Sequence, residues 1–510
     1  MSDSDMALAD TDRGRWGTKL GFLLAAMGSA IGLGNIWRFP YVVYSEGGGA
    51  FLLPYFIAIA TAAIPILILE YALGHKYGYS APFTFRAIAR RWEGLGWFQV
   101  AVTFVIGTYY MVILGWCLSY IVYSFGSQWG QDTETFFLSE YLGISDSFWS
   151  VGGLQLKVLI PLLVAWVLVY LVLHRGVSKG IELLSKVLMP TLIVMLLIIV
   201  LRAITLEGAA TGLDALFTPD FGALTDPGVW IAAYGQVFFS TSIAFSVMIV
   251  YASYLPRKTD LSNSAFIVGL SNASFEFLAA IGVFSVLGFL AVAQNTPVSQ
   301  VADDGVGLAF ITFPLIINTL PALNTFFGVL FFATLFFAGI TSAVSIMEVA
   351  IAPVREKFGL SRAAAVNWVC GLAALISLAY VTPGGLYFLD TVDHFINNFG
   401  LVVAGLLEVI FIAWVVRQID PLAEHINAIS YIRAAAWWKA SLMVITPVLL
   451  TGMTLYNLWT EVQTRYEGYP VSGLVVLGGG GVLLTVIAAL VMPMFRDRGM
   501  VTAPNPTTKG

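Results

Sequence analysis

The sequence predicts an all-α integral membrane protein, on three observations: its composition, the spacing of its apolar runs, and the sidedness of its charge. Of 510 residues, 58% are hydrophobic and only 11% charged, a balance that suits a bilayer rather than a water-facing surface. Runs able to cross about 30 Å of hydrocarbon, at about 20 residues each, lie near 18–41, 49–74, 97–126, 156–174, 183–203 and 228–254. Six more lie near 264–294, 323–354, 363–380, 388–416, 437–459 and 473–495. Twelve transmembrane helices put both termini on one side.

If that side is cytoplasmic, the inner segments hold 21 of the 25 Lys and Arg, from Arg13, Arg15 and Lys19 to Arg496, Arg498 and Lys509. The outer loops are acidic, with Asp132, Glu134, Glu140, Asp146, Asp214, Asp220, Asp226, Asp303 and Asp304. This positive-inside pattern predicts a multi-pass protein of the plasma membrane, a bacterial inner membrane, with both ends cytoplasmic. The net charge of −5 comes with no basic patch, so no nucleic-acid partner is expected. The polar residues before the first run lack the short apolar core of a cleaved signal. Cys117 and Cys370 both fall inside apolar runs, which argues against a disulfide or a CxxC site.

The longest polar segments, 127–155 and 204–227, are too short to bury a core of their own, so function resides within the membrane. His75, His174, His394 and His425 sit in or beside loops, without HExxH or a carboxylate cluster, and no enzyme is expected.

The first run contains Gly28-Ser29-Ala30-Ile31-Gly32-Leu33-Gly34-Asn35. Each glycine costs a helix interior about 1 kcal/mol relative to alanine, and backbone groups freed in lipid need partners. A break around bound ions satisfies both conditions; tight packing through Gly28-xxx-Gly32 is the competing reading. The sixth run has a matching polar interruption at Ser240-Thr241-Ser242-Ile243-Ala244-Phe245-Ser246. Broken helices 1 and 6 in corresponding positions predict a 5+5 inverted repeat with its site at the midplane. The expected divisions are a cytoplasmic segment 1–17, repeats 18–203 and 228–416, helices 11 and 12 at 437–495, and a cytoplasmic tail 496–510.

AIGLGNIWRFPY at 30–41, GGGAFLLPY at 47–55, YGQVFFSTS at 234–242, YASY at 251–254 and FFAGITSAVSIME at 336–348 closely resemble the neurotransmitter:sodium symporter family, whose bacterial leucine transporter defines the fold. The resemblance covers spans one to ten. It implies two sodium sites, one at Ala30, Asn35, Ser240 and Asn272, the other at Gly28, Ile31, Ala338, Thr341 and Ser342. Oxygen ligands of this kind suit a hard cation. It also implies a substrate carboxylate at the N–H groups of Leu33 and Gly34, where the helix dipole favours an anion, and at the Tyr110 hydroxyl. The substrate amine would face carbonyls near Ala30, Phe239 and Ser240.

By the same resemblance the side-chain pocket is Ile106, Tyr110, Phe239, Ser242, Phe245, Ser342 and Ile346, with no ionisable group to match a charged side chain. Family members that take monoamines carry an aspartate where this chain has Gly32, so here the substrate brings its own anion. The expected substrate is a small neutral amino acid, or a β- or γ-amino acid or taurine, carrying a carboxylate or sulfonate. Arg38 and Asp393 match an extracellular gate pair. Arg13 and Glu356, beside Trp16, match a cytoplasmic latch, with glutamate where aspartate is usual. Ser29 departs from the family's usual asparagine.

Glu276 stands where chloride-dependent relatives carry a serine, and Tyr55, Gln236 and Ser240 match the rest of that anion site. A carboxylate there substitutes for the anion, so uptake is expected to need no chloride. Glu70, Glu348 and Glu408 read as scaffold. The expected activity is sodium-coupled symport. A substrate sensor or a channel on the same fold is the alternative.

Overall fold

The computed structural model describes residues 14–302 and 305–498. Arg13, Asp303, Asp304 and Lys509 lie outside the described residues. Every named element among them is helical. In chain order the principal helices are α1 (Lys19–Ala30), α2 (Gly34–Ser45), α3 (Gly49–Tyr77), α4 (Arg90–Tyr123), α5 (Leu156–His174) and α6 (Val177–Ala203). Two short helices follow, α7 (Pro227–Ser240) and α8 (Val247–Ser253). The remainder are α9 (Leu261–Gln294), α10 (Asn324–Phe358), α11 (Arg362–Val381), α12 (Gly385–Val415), α13 (Ala436–Gly468) and α14 (Val471–Met494).

Ten of these are long and apolar enough to cross a membrane on their own, and α1 with α2 forms a further candidate span bent by 53°. Burial sorts them. In the apolar centres of α4 and α10, 83% of residues are buried, against 28% in α13 and 17% in α14. The first two form the protein's interior, while the last two face outward along most of their surface. Cys117 and Cys370 are buried free thiols.

The first break follows from residues with little reason to stay helical. α1 closes when Ile31 turns extended, at φ −78° and ψ 96°. The chain restarts at Gly34, and the Asn35 side chain accepts from the Gly32 N–H at 2.8 Å. Glycine is required here by close approach. A β-carbon on Gly34 would lie 2.6 Å from the Phe239 ring, and one on Gly32 3.1 Å from Ser342 Oγ.

The second break is held from outside. Between α7 and α8, Ser242, Ala244 and Ser246 take φ of 53°, 66° and 62°, a region costing a residue with a β-carbon roughly 1–2 kcal/mol. Neighbouring helices hold them there. Glu70 of α3 accepts from the Ala244 N–H at 2.6 Å, Ser246 Oγ donates to Gln99 of α4 at 2.6 Å, and Thr103 Oγ1 donates to the Phe245 carbonyl at 2.9 Å. Gln99 in turn donates to Glu408 of α12, so Glu70 and Glu408 brace the break from two sides. Glu348 sits elsewhere, in a buried fork with Arg362 at 3.0 and 2.7 Å.

Candidate functional site

The two breaks touch, because Ser242 Oγ donates to the Ser29 carbonyl at 2.8 Å. Around that contact are two clusters of oxygen atoms. In the first, Asn272 Oδ1 accepts from Asn35 Nδ2 at 2.8 Å and stands 3.3 Å from the Ala30 carbonyl and 3.2 Å from the Ser240 carbonyl. Turning the Asn272 amide lets its nitrogen donate to the Ala30 and Ser240 carbonyls and its oxygen accept from Ser240 Oγ at 3.1 Å. Ala30, Asn35, Ser240 and Asn272 are thus brought together.

The second cluster joins α1 to α10. Ser342 Oγ lies 3.1 Å from the Gly28 carbonyl, 3.2 Å from Ser29, 3.5 Å from Ile31 and 3.3 Å from Ala338. One hydroxyl hydrogen serves one acceptor well; the Ser29 carbonyl also accepts from Ser242 Oγ and the Ala338 carbonyl from Thr341 Oγ1, while those of Gly28 and Ile31 compete for the Ser342 hydroxyl. Thr341 Oγ1 donates to the Ala338 carbonyl at 2.9 Å and would lie 3.3 Å from a β-carbon on Gly28. Gly28, Ile31, Ala338, Thr341 and Ser342 all belong to this knot. Its excess of acceptors and lack of fixed charge fit an alkali cation, which needs oxygen dipoles rather than a carboxylate cage.

Beside the clusters stand the residues expected to contact the substrate. The Tyr110 hydroxyl is buried and meets no hydrogen-bond partner in good geometry among the described residues. A β-carbon on Gly32 would lie 3.2 Å from it. The oxygen therefore faces the gap between α1 and α2, beside the N–H groups that α2 leaves without internal partners. Phe239 closes against Gly34, and Ile346 packs against Gly107, next to Ile106. Phe245 is fixed through its own carbonyl by Thr103. Leu33 is fully buried at the turn.

Glu276, on α9, occupies a third position where α3 and α7 meet it. Its carboxylate accepts from the Tyr55 hydroxyl and from Gln236 Nε2 at 2.7 Å. The Gln236 oxygen accepts from Arg38 Nη1 at 2.9 Å, and Arg38 lies 5.8 Å from the Phe239 ring centre. A chain of contacts thus runs from Arg38 through Gln236 to Glu276. Asp393 accepts from Asn397 at 2.9 Å.

Just before α1, Trp16 Nε1 donates to the Tyr251 carbonyl at 2.8 Å and its ring meets Tyr251 edge-on at 5.0 Å. Glu356 accepts from the Ser80 hydroxyl at 2.5 Å and from the Ser80 N–H at 3.2 Å. Its expected partner Arg13 is outside the described residues. The sequence reading missed Gln99 and Thr103, which fix the second break. Their signal was available, since both are polar residues inside an apolar run.

Residues 13–133 and 127–501 match the model of the sodium:neurotransmitter symporter family. An uncharacterized sodium-dependent transporter of Methanocaldococcus jannaschii is 40% identical over 481 residues, covering 94% of this chain and 97% of that protein. The human sodium- and chloride-dependent taurine transporter is 31% identical over 497 residues, covering 89% of this chain and 80% of its own length; that of the dog is 30% identical over the same coverage. With a family match spanning nearly its whole length, and with broken helices of matching residues at its centre, the chain belongs to the sodium:neurotransmitter symporter family.

Proposed function

We propose that the protein is a twelve-span symporter that carries a small neutral amino acid, or a β- or γ-amino acid or sulfonate analogue, into the cell with two sodium ions and without chloride. The ten long spans and the bent pair α1–α2 support this reading, in which α7 and α8 are the broken span that brings the count to twelve and the first ten spans form two inverted five-helix repeats with both ends cytoplasmic. The observation that carries the reading is the knot around Ser342, where four backbone carbonyls lie within 3.5 Å of one hydroxyl. A sodium ion there joins the two halves of the site and is stable only while they stay together.

The substrate's acid group is read onto the orphan Tyr110 hydroxyl and the start of α2. Gly32 leaves no protein carboxylate there, which favours amino acids over bare amines. Taurine transport by relatives agrees with one acid and one amine but does not select the acid. Arg38 and Asp393 act as the outer closure, and Arg13 with Glu356 as the inner one. Both closures have to open and close in every transport cycle.

Each sodium entering through 100 mV releases about 2.3 kcal/mol, and a tenfold concentration difference adds about 1.4 kcal/mol. Two ions supply roughly 7 kcal/mol, enough to concentrate a substrate strongly. Alternating access rocks spans one, two, six and seven about the site. The named relatives in the taurine group require chloride; this reading departs from them at Glu276, whose carboxylate takes the anion's place beside Tyr55 and Gln236.

The test is uptake into sealed proteoliposomes with sodium or chloride replaced in turn. Accumulation against a gradient that requires sodium and survives gluconate for chloride is expected, and Glu276→Ser should make it require chloride. A sensor moves nothing and a channel only equilibrates; loss of uptake without chloride in the wild type overturns the Glu276 assignment.

A further inference from the structure

The start of α1 is gripped by a carboxylate that belongs to another span. Glu182, the last residue of the π-helical stretch Val177–Glu182 that opens α6, has a side chain only 3% exposed. Its Oε2 accepts from the Gly17 N–H at 2.6 Å, and its Oε1 accepts from the Thr18 hydroxyl at 2.8 Å. Thr18 is the N-cap of α1, its own oxygen accepting from the Gly21 N–H at 3.0 Å. The carboxylate therefore holds the residues that start the helix, where a negative charge also meets the positive end of the helix dipole.

The fit is close. A β-carbon on Gly21 would lie 2.3 Å from Glu182 Cγ and Oε1, and one on Gly17 3.2 Å from Oε2. Two glycines one turn apart thus form a notch for this side chain. Seven residues further along α6, Met189 Sδ lies 3.0 Å from a β-carbon built on Gly28, so α6 follows α1 from its N-terminal end to the Ser342 knot.

Glu182 has a second partner on its own helix. Lys186 Nζ lies 2.6 Å from Oε1, one turn on, and is 34% exposed. If α1 leaves α6, both bonds from Gly17 and Thr18 break while the bond to Lys186 survives, so the carboxylate is never left buried without a charge partner. Charge and neighbours are arranged for two positions rather than one.

We propose that Glu182 is a positioning residue of the inner closure: a clasp that holds α1 against α6 and releases it to Lys186 when the inner side opens. This rests on the transport reading above, because it assigns a motion to α1. The clasp is distinct from the expected Arg13–Glu356 pair, since it acts through hydrogen bonds to the helix cap.

The two partners of the carboxylate give the proposal opposite signs. Glu182→Ala removes the grip and should free α1. Lys186→Ala leaves the grip and removes the resting place, and should hold α1 more firmly. The measurement is amide hydrogen exchange of residues 17–30 in the purified full-length protein with sodium present, alongside initial rates of uptake.

Loss of two hydrogen bonds to a charged acceptor predicts exchange at least about tenfold faster in Glu182→Ala, a higher sodium concentration for half-maximal protection, and a raised KM. Lys186→Ala should exchange more slowly than wild type, with lower kcat and unchanged or lower KM. Gly21→Ala, which crowds the carboxylate without removing it, should follow Glu182→Ala. Glu182→Gln keeps one acceptor oxygen and should fall between it and the wild type, which guards against a variant that fails to fold.

A merely structural carboxylate predicts that Glu182→Ala and Lys186→Ala both quicken exchange, and quicken it throughout α6. Either that pattern, or α1 exchange unchanged in Glu182→Ala, overturns the proposal. The exchange result stands apart from transport: a chain that binds sodium but moves no substrate would still show the opposed signs, whereas uptake without them would leave the transport reading intact and remove the clasp.

Discussion

The break between α1 and α2 and the break between α7 and α8 meet at Ser29 and Ser242, yet they rest on different chemistry. The first is built from glycines and one asparagine, and a residue of that same segment, Asn35, supplies the cap for Gly32. The second contains no glycine and holds Ser242, Ala244 and Ser246 at positive φ. Its restraints come from Glu70, Gln99 and Thr103 on two other helices. A break that carries its own instructions can be recognised locally, whereas one imposed by neighbours exists only in the assembled bundle. The first also supplies most of the carbonyls of the Ser342 knot, so it pairs flexibility with ion contact.

The largest effect should come from cutting the first break's own cap. Asn35→Ala removes the bond to Gly32 and the contact with Asn272, and should weaken sodium-dependent substrate binding by about 3 kcal/mol, or roughly a hundredfold. Sodium titrations of binding read it, and an unaltered sodium dependence would remove Asn35 from the cluster.

Next is the imposed break. Glu70→Ala leaves the Ala244 N–H buried without an acceptor and should cost about 2 kcal/mol of stability. Thermal unfolding in detergent measures it. Glu70→Gln, which keeps an oxygen, should lose less, and equal losses would mean that the brace acts by bulk rather than by hydrogen bonding.

Tyr110→Phe separates binding from stability. The ligand-free protein should be little changed, since the hydroxyl makes no hydrogen bond in good geometry and its polar neighbours are the Leu33 backbone and Ser342. Substrate binding should fall by about 1–2 kcal/mol, within the range for a hydrogen bond to a charged group. A bare amine should neither bind nor compete. Tight binding of a decarboxylated analogue would sink the role assigned to Gly32.

The smallest effect sharpens the contrast most. Ala244→Gly relieves a left-handed alanine, a gain of roughly 1–2 kcal/mol, against a lost buried methyl of about 0.8 kcal/mol. The net change should stay within about 1 kcal/mol of zero. Gly34→Ala, a mutation of the same size at the other break, should instead damage binding, because its β-carbon would meet the Phe239 ring at 2.6 Å. If both variants behaved alike, the two breaks would not differ in kind.

Local chemistry determined much of this molecule. Apolar runs mark out spans because a bilayer leaves a chain few alternatives, and the sidedness of Lys and Arg predicts an orientation. Gly28, Gly32, Gly34 and Asn35 mark the first break because glycine in a helix interior carries its penalty wherever the helix lies. The family was legible from motifs in both halves. Tertiary structure alone decided the rest. Nothing near Ala244 announces a left-handed residue, since the acceptor that stabilises it sits on Glu70, far away in the chain. The crowding of four carbonyls on Ser342, the orphaned Tyr110 hydroxyl and the grip of Glu182 on the cap of α1 likewise arise only when distant helices pack. A hydrogen-bond partner is a property of position in space, and the sequence records only the groups that seek one.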